Sequence, residues 1–112
     1  MADDILTTIN DIGDMVEALN KKASAANETI KYYNDRLRGV GIEVWLTSST
    51  PYPWLVGYAN IQNGWQLSYS TGPEGYIGPL VLAPRDIRIK AVERLPELFE
   101  KIKAALAAQV SL

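Results

Sequence analysis

The 112 residues predict an α+β fold: a long N-terminal helix, a three- to four-stranded antiparallel meander sheet, and a C-terminal helix kinked near Pro96. Three observations predict it. Between residues 3 and 38, apolar side chains recur at every third and fourth position without a miss, which is the spacing of one seam along an α-helix. From Ile42 the apolar period drops to two, and Asn63-Gly64, the preferred pair for a tight hairpin, separates two runs of strand character. After Pro84 the helical spacing returns and continues to about residue 108. The elements follow one another as α-β-β-β-(β)-α in a single domain, 1–112.

The first helix is drawn by Ile5, Ile12, Leu19, Ala26 and Tyr33 alternating with Ile9, Val16, Ala23, Ile30 and Leu37. Asp3 or Asp4 serves to cap it. Acidic residues fill its first half while Lys31, Arg36 and Arg38 stand near its end, an order that suits the helix dipole. Glu17 and Lys21 form a supportive pair at four-residue spacing. Gly13 opposes the helix by roughly 1 kcal/mol. Gly39 and Gly41 supply the backbone freedom to stop it. At about 1.5 Å per residue the helix spans roughly 50 Å, whereas a six-residue strand covers only about 20 Å. A small sheet therefore cannot cover the whole seam, and the remainder must pack on a second helix or on another copy of the protein. Asp4, Asn10, Asp11, Glu17, Ser24 and Lys31, read as the flanks of the seam, are too mixed to specify a partner.

The first strand places Ile42, Val44 and Leu46 on one face and Glu43, Trp45 and Thr47 on the other. Residues 47–53, with two prolines and several hydroxyls, read as a loop. The second strand, 54–61, and the third pair across an Asn63-Gly64 turn that sets Tyr58 opposite Tyr69, Asn60 opposite Leu67 and Val56 opposite Thr71. One face then collects Trp54, Val56, Tyr58, Trp65, Leu67 and Tyr69 for the helices to cover, and the other, with Gly57, Ala59, Ser68 and Ser70, turns to water. Residues 76–82 give a short, irregular fourth strand or an extended crossing, because Pro79 has no amide to donate. The last helix buries Ile87, Ala91, Val92, Leu95, Leu98, Phe99, Ile102, Ala105 and Leu106. Asp86 with Lys90 and Glu97 with Lys101 are spaced to pair, and Pro96 predicts a kink or break.

Composition narrows function by subtraction. Cysteine and histidine are both absent, which removes disulfides, thiolate metal sites and histidine-based triads. A formal net charge of −2 implies no overall attraction to nucleic acid. The start of the sequence is acidic where a secretion signal would be basic, and no apolar run reaches spanning length. A cytoplasmic protein with no membrane partner and no cofactor is expected.

Residues 57–67, Gly-Tyr-Ala-Asn-Ile-Gln-Asn-Gly-Trp-Gln-Leu, followed by Pro-Leu-Val-Leu-Ala-Pro-Arg-Asp-Ile-Arg-Ile-Lys at 79–90, carry a resemblance. The C-terminal half resembles small uncharacterised bacterial or phage-carried α+β proteins with a Trp-bearing hairpin and a Pro-Arg-x-Ile-Arg closing helix. That resemblance implies the fold and brings no activity with it.

Two clusters stand out as candidate partner-binding groups. Arg85 and Arg88 share a face at the start of the last helix, where exposed amides also favour anions, and either clamp an anionic group of a partner or are neutralised by Asp86 and Glu93 as a solvated face. Tyr52 and Trp54 flank Pro53 in an aromatic element that either grips a partner or folds under as a lid on the core. The candidate oligomer interface is Ile5, Ile9, Ile12, Val16 and Leu19. The serines lack a base, and the carboxylates are best read as solvated. The expected function is thus non-enzymatic: a protein-protein interaction module, homodimeric through its long helix, of the small accessory, regulator or inhibitor kind. The competing expectation is a small-molecule-binding domain or enzyme with an aromatic and arginine pocket.

Overall fold

The apolar repeat of the first third is realised as one helix, α1 (Ala2–Arg36), unbroken through Gly13. The computed structural model describes residues 2–46, 54–62, 64–71 and 75–111. Beyond α1 the chain makes one more helical turn bond, Leu37 N–H to the Tyr33 carbonyl at 2.9 Å, and then reverses. Gly39 and Gly41 take φ of +87° and +61°, values that a side chain at either position would resist.

The sheet is a meander of β1 (Val44–Trp45), β2 (Leu55–Ile61), β3 (Gly64–Ser70) and β4 (Ile77–Pro79), in spatial order β1-β2-β3-β4 and antiparallel throughout. Pro79 ends β4, and a 3-10 turn at Leu80–Leu82 leads to α2 (Arg85–Val110). This is the α+β architecture that the periodicities predict. Pro96 sits inside α2 on its exposed side, and the helix continues past it rather than breaking into two segments. On that side water can solvate the carbonyl that the missing amide leaves unbonded.

Both helices deliver their apolar residues to one core. Ile30 of α1, Val56, Tyr58 and Leu67 of the hairpin, Leu80, and Leu95 and Leu98 of α2 are all fully buried there. The stripe expected on α2 is the stripe it buries, with Val92, Phe99, Ala105 and Leu106 partly covered at its margins. Tyr33 and Phe99 meet edge to face at 4.8 Å between ring centroids.

The hairpin register differs from expectation by one pair. Ile61 lies opposite Gly64 and Tyr58 opposite Leu67, so the chain turns directly after Ile61, with Gln62 at φ +50°; Asn63 itself lies outside the described residues. Because the slip is two residues, every side chain keeps its face. The observed register sets Trp65 diagonal to Tyr58, and the two rings stack at 5.6 Å.

The face expected to meet water is buried instead. Ala59 and Ser68 are fully covered and Ser70 nearly so. Trp45, from the neighbouring strand, lays its ring across Gly57, where a side-chain carbon would collide with it. Small residues on this face make room for that ring, and the Ser68 hydroxyl donates to the Gln66 carbonyl at 2.9 Å. Surface pairing also departs from simple spacing. Lys90 approaches Glu93 and Arg94 approaches Glu97, each at 3.9 Å, while Lys101 reaches across to donate to the Trp45 carbonyl at 2.6 Å. Glu17 and Lys21 do approach, at 3.9 Å.

Candidate protein interface

The seam of α1 has two fates. From Ala23 onward it is buried: Ala23, Ala26 and Ile30 are at most 6% exposed. From residue 4 to residue 22 every position is exposed. Ile5, Ile9 and Ile12 are 62%, 57% and 54% exposed, and Val16 and Leu19 about 40%. The principal extents of 70 × 28 × 24 Å and a radius of gyration of 17.5 Å reflect this arm; a compact chain of this length would have a radius near 13 Å.

The apolar face is wider than the seam. At 3.6 residues per turn the nearest neighbours of the stripe are Leu6, Gly13 and Asn20 on one side and Thr8 and Met15 on the other. Asn10, Asp11 and Glu17, expected as flanks, lie further round on the outer side. Leu6 and Met15 are 59% and 65% exposed, so they extend the stripe into a broad apolar surface. Helical geometry alone identifies them, once the stripe is drawn as a projection rather than as a linear spacing.

What ends the exposed half is α2, which lies along α1 in the same direction. Arg85 donates to the Asn20 side-chain oxygen at 3.1 Å, and Arg88 to that of Asn27 at 2.7 Å. Further along, Ile89 and Val92 face Ala26 and Thr29. Arg85 and Arg88 thus do share a face, but that face is turned to α1, and their charge-assisted bonds are used within the chain. Asn20 and Asn27 are the residues that sequence reasoning passed over, since nothing local marks them as partners for arginines more than sixty positions away.

Of the aromatic element, Trp54 is 7% exposed and belongs to the core cluster, which is the lid alternative; Tyr52 lies outside the described residues. The tyrosines pack rather than line a cavity. Tyr58 donates its hydroxyl to the Leu37 carbonyl at 3.0 Å, and burial pushes its pKa above the usual tyrosine value. Tyr69 sits 5.8 Å from Tyr76, and its pKa is likewise raised, mainly by burial. The Asn34 side-chain oxygen accepts from the Leu67 amide at 2.8 Å, completing the ladder of β3 beyond the reach of β4.

No helix among the described residues is long and apolar enough to cross a membrane. Comparison with protein-family models, with curated proteins and with solved structures gives no match.

Proposed function

We propose that this protein is a non-catalytic interaction module, of the small accessory, regulator or inhibitor kind, held as a homodimer through the arm of α1. The observation that carries the reading is the unbroken row Ile5, Ile9, Ile12, Val16 and Leu19, exposed along one side of a helix whose other half uses the same row as core. Solitary apolar residues on a surface need no explanation, but a contiguous row of them marks a contact site. Withdrawing roughly half of each such side chain from water is worth on the order of 1 kcal/mol apiece. Two arms contribute twice that row, which offsets the cost of bringing two chains together. The proposal sets the protein in the cytoplasm, on the strength of a cysteine-free chain.

The mass in solution tests it. Light scattering at tens of micromolar is expected to return twice the 12.4 kDa of one chain. A mass of one chain at that concentration, unchanged on further concentration, removes the dimer.

A further inference from the structure

Given that reading, on which the following rests, we infer that the two arms lie antiparallel, each filling the half-seam that α2 leaves open on the other chain. From Ala23 to Ile30 the stripe is covered by α2 of the same chain, and α2 starts beside Asn20. Packed helices lie 8–10 Å apart, and a helix with its side chains is itself about 10–12 Å across. Two arms joined side by side in the same direction would therefore bring both α2 helices into the one gap beyond residue 20. The pair would have to splay where it should close.

Reversing one arm removes the conflict. Each seam then carries its own α2 over its second half and the partner's arm over its first, and the two bodies sit at opposite ends. In the register that keeps apolar layers intact, Ile9 of one arm packs with Leu19 of the other, and Ile12 with Val16.

Charge supports the same orientation. Residues 4–20 hold Asp4, Asp11, Asp14 and Glu17 and no basic residue. Lys21 and Lys22 follow, and Arg85 stands beside Asn20 at the start of α2. Parallel arms would set each of these four acids level with its own copy; in the antiparallel register Asp11 is still level with Glu17 and Asp14 with its copy, on the outer sides, so the difference lies at the ends of the arms. Antiparallel arms bring Asp4 of each chain alongside Lys22 of the other and toward Arg85 and the positive end of α2.

The absence of cysteine allows a direct test. Two single variants, Ile9→Cys and Leu19→Cys, are mixed, allowed to exchange and oxidised, with each variant oxidised alone alongside. The expected result is a shift to double mass on a denaturing, non-reducing gel in the mixture, and none in either variant alone. A disulfide dimer of Ile9→Cys alone or of Leu19→Cys alone overturns the orientation while leaving a dimer. A solution dimer with no disulfide in any of the three samples overturns it too, since the contact then lies away from the arms. A single-chain mass for the unmodified protein is the separate outcome that removes the underlying reading.

Discussion

The Arg88 guanidinium and the Asn27 side-chain oxygen meet at 2.7 Å, just past the point where the stripe of α1 passes from solvent into the core. The bond is made by Nη1, while the buried Nε has no partner among the described residues, so this one contact carries the solvation of a half-buried cation. Replacing Asn27 with alanine is expected to cost about 1.5–3 kcal/mol, the range for a hydrogen bond to a charged group. Denaturant titration of N27A beside the parent protein measures it.

Asn34 serves the sheet in a comparable way, because its side chain accepts from the Leu67 amide that no strand reaches. The Asn34→Ala variant leaves that amide unpaired inside the protein, at about 1–3 kcal/mol. Hydrogen exchange read residue by residue is expected to find the Leu67 amide less protected.

Two glycines make opposite predictions. At Gly57 an added methyl group runs into the Trp45 ring and the Val44 carbonyl, and Gly57→Ala is expected to destabilise by about 1–3 kcal/mol, as overpacking does. At Gly13 the same methyl group meets open space, and Gly13→Ala is expected to stabilise α1 by about 1 kcal/mol. Thermal unfolding of the two variants in parallel distinguishes the signs.

Alkaline pH acts through Tyr58 and Tyr69. Both have pKa values raised above 10.0 by burial, so above that value the unfolded chain releases protons that the folded chain still holds. The stability they contribute is fully present below pH 10 and is lost as pH rises through their folded values. Unfolding followed from neutral pH to pH 11 is expected to show the decline, and Tyr58→Phe to reduce its slope.

On the arm, Ile12→Glu sets a charge in the middle of the apolar row while touching nothing in the body. The expected result is a single-chain mass at a concentration where the parent is double, with the near-ultraviolet spectrum of the tryptophans unchanged.

How much of this was legible beforehand follows from what each residue's neighbours are. The two helices and their apolar stripes could be read because a 3.6-residue period marks one face of a helix, though not what covers it: on α1 the same row is exposed before Ala23 and core after it. The meander order was legible for the same kind of reason. The hairpin slipped by a pair because Gln62, not a residue that favours positive φ, occupies the turn. The burial of Ala59 and Ser68 was hidden, since what lies over that face comes from elsewhere in the chain, as the Trp45 ring does over the neighbouring Gly57. At the candidate interface the row Ile5 to Leu19 was evident, but the engagement of Arg85 and Arg88 was not. Their acceptors Asn20 and Asn27 are 65 and 61 positions distant, and an asparagine on a helix gives no sign of what will come to rest against it.

The arm also couples shape to concentration. Residues 4–22 are exposed throughout, and in a single copy they lack the packing of an apolar face from which most helical stability in proteins comes. In a dilute, solitary copy this stretch would coil and uncoil while Trp45, Trp54 and Trp65, all seated in the body, report nothing of it. Joining a second copy and winding the spiral then become a single event, seen as ellipticity at 222 nm that climbs on concentrating the sample while tryptophan emission holds still.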